Sequence, residues 1–213
     1  MQTDRWIDLL ASQAEPVAAR RVAPLMLRAL PWGLAGAVAI MLAGYGLRHD
    51  FAQVVHLPMF WLKVGVPLVI ALAGLLLVSR LGRPGVRAGQ AWWGVALPVL
   101  LLWVMGAWQW MAADPADRPP LLWGQTWRTC VFSIGLIALP VFVAALALMR
   151  QLAPTRPAWA GAAAGTLAGG AGACVYAFHC PEMTAPFLAV WYVLGMALPA
   201  AVGAAMGPRL LRW

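Results

Sequence analysis

The groups with the most chemistry in them crowd into one stretch, YAFHCPEM at residues 176–183, where His179, Cys180, Glu182 and Met183 interrupt an almost pure hydrocarbon chain. Cys130, Cys174, His49 and His56 complete the cysteines and histidines of the sequence. Thiolate beside imidazole suits a soft metal such as zinc, cadmium or copper, or else thiol redox chemistry. The ligand set this suggests is Cys130, Cys180 and His179. Its spacing matches no metal motif: there is no CxxC, and adjacent His and Cys point their side chains apart unless the turn is tight. Cys174 reads as a small buried hydrophobe, a frequent role of free cysteine. Cys130 and Cys180 read as working thiols, placed where solvent reaches them and where an oxidising compartment can join them. His179 next to one and Arg128 near the other favour thiolate, whereas Glu182 repels it. A static disulfide and a switching bond both fit the cysteine count.

The elements that must position these residues are set by composition. Of 213 residues, 63% are hydrophobic and 10% charged, far from a soluble domain. A helix needs about 20 apolar residues to cross the hydrocarbon layer. Six such runs can be placed, at Ala29–Leu47, Pro58–Ser79, Ala91–Met111, Trp127–Met149, Ala158–Phe178 and Phe187–Met206. The expected fold is an all-α membrane protein: a short cytoplasmic N-terminal segment (residues 1–28), a bundle of six transmembrane helices (29–206) and a cytoplasmic tail (207–213). The first run follows a long, mixed-charge lead and reads as a retained helix, not a cleaved signal peptide.

The formal charge of +8 would suggest nucleic acid in a soluble protein, but here it sorts by side. Arg5, Arg20, Arg21, Arg28, Arg80, Arg83, Arg87, Arg150, Arg156, Arg209 and Arg212 fall on one side, and only Arg48, Arg118 and Arg128 on the other. Positive residues near helix ends resist translocation, so both termini are expected in the cytoplasm. Lys63, about one and a half turns into the second span, is expected to snorkel outward. The cysteines, histidines and Glu182 then gather at the outer face. Cys130 and Cys174 lie roughly 5 to 6 Å below their helix mouths.

The remaining segments narrow the function. No acid falls within a span, which weighs against an ion-coupled transporter or pump. Mid-span Pro67, Pro98, Pro140 and Pro199 predict kinks. Gly161, Gly165 and Gly169, four apart, predict close helix approach, within the chain first and between copies second. At the start, TDRWIDLL places Trp6, Ile7, Leu9 and Leu10 along a helix that Thr3 could cap and Pro16 would end. That helix reads either as a stub on the lipid surface or as a docking segment for a cytoplasmic partner.

The order and spacing of TDRWIDLL, the six spans, WRTC at Trp127–Cys130, HCPE at His179–Glu182, WYVLG at Trp191–Gly195 and the terminal GPRLLRW resemble the negative-regulator-of-sigma-F family of bacterial membrane anti-sigma factors. The resemblance implies a protein that holds an extracytoplasmic-function sigma factor at the inner membrane until heavy-metal or oxidative stress reaches its outer face. It implies sensor roles for Cys130 and Cys180, with His179 and Glu182 beside them, and sigma-factor binding by the segment carrying Trp6, Ile7, Leu9 and Leu10. No resident cofactor is implied beyond a transiently bound soft metal, no enzymatic activity, and no direct contact with nucleic acid; oligomeric state is left open. Two other classes compete. A membrane thiol oxidoreductase would want closely spaced reactive cysteines, and a soft-metal transporter would want ligands at mid-membrane depth; the sequence offers neither.

Overall fold

The computed structural model describes residues 2–13, 22–152 and 154–212. All the regular structure among them is helical. In chain order the helices are α1 (Gln2–Gln13), α2 (Val22–Gly44), α3 (Phe51–Val54), α4 (Pro58–Leu81), α5 (Trp93–Ala112, led in by a 3₁₀ turn at Gly89–Trp92) and α6 (Arg118–Trp123). They continue with α7 (Trp127–Leu152), α8 (Pro157–Tyr176), α9 (Ala185–Phe187) and α10 (Val193–Leu210), the last two joined by a π-helical segment at Leu188–Tyr192. Proline opens α4 and α8 at their first residues and sits second in α9, where its missing N–H costs nothing and its fixed φ favours the helix.

Five of the helical stretches are long and apolar enough to cross a membrane: Val22–Gly44, Pro58–Leu81, Gly89–Ala112, Arg118–Leu152 and Ala185–Leu210. The fifth predicted run is also a helix, α8, but alanine and glycine dominate it. Large apolar side chains such as Trp32, Trp61, Leu72, Trp103, Trp108, Phe132 and Val143 face outward, as a lipid solvent allows. Small residues fill the centre, with larger buried side chains such as Phe60, Leu77 and Phe187 around them.

That centre is α8. It packs against α10, α4 and α7, with α2 laid on α7 and α5 on α4 and α9. The glycines of α8 set this arrangement. A Cβ added at Gly161, Gly165 or Gly169 would run into the backbone of Gly203, Pro199 or Met196 on α10, one at Gly170 into Ala71 of α4, and one at Gly172 into Ala138 of α7. The predicted glycine ridge therefore serves packing within the chain. The mid-helix prolines belong to the same seams, since Pro67, Pro140 and Pro199 each stand against a glycine of a neighbouring helix: Gly170, then Gly33 and Gly36, then Gly165.

Alternation of the helices separates two ends. At one, the Trp92 and Trp159 rings meet at 5.5 Å, Arg80 Nη1 donates to the Ala88 carbonyl at 3.1 Å, and Arg83, Arg87, Arg150, Arg156 and Arg209 lie in the adjoining turns and helix ends. The opposite end carries Arg48, Lys63, Arg128 and the HCPE turn. In α1, Trp6, Ile7 and Leu9 are exposed, Trp6 to 66%. The Leu10 side chain and Pro16 lie outside the described residues. Thr3 stands within α1 and not before it, so the predicted cap is not made there.

Candidate functional site

At its outer end α8 gives way to a turn in which the N–H groups of His179 and Cys180 both donate to the Tyr176 carbonyl, each at 3.0 Å. Neighbours in sequence, these two residues face apart. His179 is half-buried, its Nδ1 3.1 Å from the Gly46 carbonyl and its ring 5.2 Å from Tyr45 and 5.7 Å from Tyr176. Cys180 turns inward and is 0% exposed. Cys130, inside the first turn of α7, is equally buried, and both thiols are free. They lie near each other and near Lys63.

Three sets of bonds fasten the segment Cys180–Thr184. From α4, Lys63 is 1% exposed and donates from Nζ to the carbonyls of Cys180 at 2.6 Å and Glu182 at 2.7 Å, straddling Pro181. Its ammonium also stands 5.4 Å from the centre of the Tyr192 ring. The loop after α2 contributes Arg48, whose Nη1 donates to the Cys180 carbonyl at 3.1 Å and approaches the Met183 sulfur at 3.7 Å. The same guanidinium pairs with Asp50 at 2.6 and 2.8 Å. That bond holds the Asp50 carboxyl below the usual carboxylate range and raises the Arg48 guanidinium above its ordinary value.

The third fastening is made by the turn between α6 and α7. Glu182 Oε1 accepts from the backbone N–H of Gln125 at 2.6 Å, the N–H of Thr126 at 3.0 Å and the Thr126 hydroxyl at 3.3 Å. Gly124 makes this cradle: its φ is +52°, and a Cβ there would fall 2.5 Å from a carboxylate oxygen of Glu182. Beyond it, Thr184 Oγ1 donates to the Leu121 carbonyl at 2.8 Å and Gln109 Oε1 accepts from the Ala185 N–H at 2.8 Å.

The π segment that follows keeps its bonds through tryptophans. Trp103 Nε1 donates to the Ala189 carbonyl at 3.0 Å and Trp191 Nε1 to the Leu122 carbonyl at 2.9 Å, while Trp123, Trp127 and Trp191 stack edge to face and tilted at 4.8 to 5.7 Å. Tyr192 closes the segment with a buried hydroxyl that stands beside the Cys180 thiol.

Several expectations need correction. Solvent does not reach Cys130 or Cys180; packing and the fastened turn bury both. Cys174, expected to be the buried one, is partly exposed, and its Sγ donates to the Val64 carbonyl at 3.3 Å. Lys63 turns into the bundle instead of snorkelling, because two carbonyls and an aromatic face offer its ammonium a coordinated place. The cation near the thiols is thus Lys63. Arg128 is exposed and lies over the Trp127 ring at 5.2 Å. His49 and His56 are exposed and do not join the thiols. Among the described residues no three His, Cys, Asp or Glu side chains stand together as a metal site.

Arg48, Gly124 and Thr126 escaped sequence reasoning because each acts through a backbone group distant in the chain. Lys63 left a signal, being the only lysine and lying within an apolar run; only its direction was misread.

The model of the family described as negative regulator of sigma F matches residues 10–213. The chain is 45% identical over its full length, and over the full length of the relative, to a protein of Azospira oryzae named "Probable anti-sigma-F factor NrsF". It is 39% identical, again over the whole of both chains, to the anti-sigma-F factor NrsF of Caulobacter vibrioides. The chain belongs to the negative regulator of sigma F family. No solved structure matches it.

Proposed function

We propose that this protein is an anti-sigma factor of the bacterial inner membrane that sequesters a sigma factor of the extracytoplasmic-function type and releases it when Cys130 and Cys180 react with a soft metal or an oxidant. The observation that carries this reading is the full-length identity to two proteins named as anti-sigma-F factors. In it α8 spans the membrane with the other five long stretches. Both termini face the cytoplasm, as the arginine distribution favours, and the HCPE turn faces outward with His179 and Glu182 shaping it. The protein is a regulator without a catalytic step.

Exposed Trp6, Ile7 and Leu9 on α1 support a docking segment, an apolar helix edge of the kind that enters a partner's groove; Leu10 extends that edge by sequence. Binding and sensing are then coupled, so sulfur modification weakens sigma binding and sigma binding disfavours modification by the same factor. The test is co-purification of the sigma factor with the intact chain. The complex is lost when Trp6 and Leu9 become Asp, and a reporter of the sigma regulon stops responding to cadmium or peroxide in the Cys130→Ser, Cys180→Ser double variant. A complex that survives the first change, or normal induction after the second, would remove docking or sensing respectively.

A further inference from the structure

The two thiols read as sensors are the two that no solvent reaches, and of the groups that fasten the turn beside them Lys63 is the one buried within the bundle. A buried ammonium is costly unless its hydrogen bonds are satisfied. Lys63 satisfies two of its three by gripping the backbone on either side of Pro181, a residue with no N–H of its own to offer. No carboxylate among the described residues forms an ion pair with Lys63; Glu182 gives its carbonyl to the lysine and turns its carboxylate to the Gln125 and Thr126 amides. Arg48 takes the second lone pair of the Cys180 carbonyl from the other side.

We propose that Lys63 is a positioning residue of the thiol site: it latches the Cys180–Thr184 segment shut, and reagents reach Cys130 and Cys180 only through the unlatched turn. The inference takes from the reading above that these are the reacting thiols, and needs nothing of the sigma factor. The lysine rises from α4, whose far end carries Arg80.

The experiment is the rate of N-ethylmaleimide addition to each cysteine in the full-length protein in native membranes, resolved by peptide mass spectrometry. In that reaction the thiolate sulfur bonds to one alkene carbon of the maleimide and the neighbouring carbon takes a proton. Lys63→Met is expected to speed labelling of Cys180 and Cys130 by about tenfold or more, the size that follows from losing hydrogen bonds to a charged donor. Lys63→Arg, which keeps a cation and its donors, is expected to recover part of the protection. Arg48→Gln, acting on the same carbonyl from the loop, should give a smaller change in the same direction even if the bundle tolerates Lys63→Met poorly. Cys174, whose thiol bonds the Val64 carbonyl next to Lys63 and not the turn, reports loosening of α4 itself and should keep its wild-type rate.

Unchanged rates in both variants, equal acceleration at all three cysteines, or wild-type thiols that label as fast as a free peptide would overturn the latch. Slower labelling in Lys63→Met would do the same and make the lysine a counter-ion for thiolate. These outcomes are independent of the reporter assay: loss of the sensing reading leaves the latch standing, and loss of the latch leaves sensing to be decided by the cysteine variants.

Discussion

At Gly124 the backbone adopts φ +52° and ψ −158°, a region that side chains other than glycine's enter only under strain, and the Glu182 carboxylate occupies the space where a Cβ would stand. Both penalties apply to Gly124→Ala, which should cost about 1–3 kcal/mol in a denaturant titration of the detergent-solubilised protein. Gly65→Ala, at a helical position with nothing within 4 Å, should be neutral or stabilising by up to about 1 kcal/mol. The Asp50 carboxyl gives a pH test. Its value is lowered in the fold by the Arg48 hydrogen bond, so its contribution is complete above the ordinary carboxylate range and is lost as pH falls through the lowered value. Thermal unfolding midpoints should be flat near neutrality and drop below about pH 4, with a shallower drop in Asp50→Asn. The effect should be small, since Asp50 is open to solvent.

Among the elements, α8 shows how far the sequence could be read. Gly161, Gly165 and Gly169 announced a close approach through their spacing alone, and α10 makes it. Gly165→Leu forces a branched side chain against the backbone of Pro199 and Ala200; it should exceed the roughly 1–3 kcal/mol of ordinary overpacking and abolish the monodisperse peak in size-exclusion chromatography. Helix limits were legible to within a turn for α4 and α7, because proline at Pro58 and the WRTC start mark their beginnings. The start of α2 at Val22 was missed, since VAPLMLR mixes arginine with apolar residues and its Pro24 looks like a breaker, whereas a helix tolerates proline in its first turn. The π segment left no sequence signal. It exists because Trp103 and Trp191 bind carbonyls across the bundle, a contact that periodicity along one strand of chain cannot encode. For the candidate site the same division holds: Cys130 and Cys180 could be singled out by type and place, but the turn at Cys180 is held by Lys63, Arg48 and the Gln125–Thr126 amides, which only the fold brings to it.

The whole molecule turns many of its tryptophans and leucines outward and sets the alanine- and glycine-rich α8 at its centre, with Phe60, Leu77 and Phe187 buried around it. Water exclusion cannot hold such an interior together in lipid; close van der Waals contact and the few buried polar groups must. This places the polar turn at Cys180–Thr184 among the tertiary fastenings of the bundle. The small size of α8's residues carries one more consequence, for biosynthesis. In the proposed six-span arrangement the glycine face of α8 finds its closest partner only in α10, which is synthesised after it. Until that hairpin closes, the nascent chain has only α2, α4, α5 and α7 in place, and the HCPE turn, being the link between α8 and α10, is assembled after them.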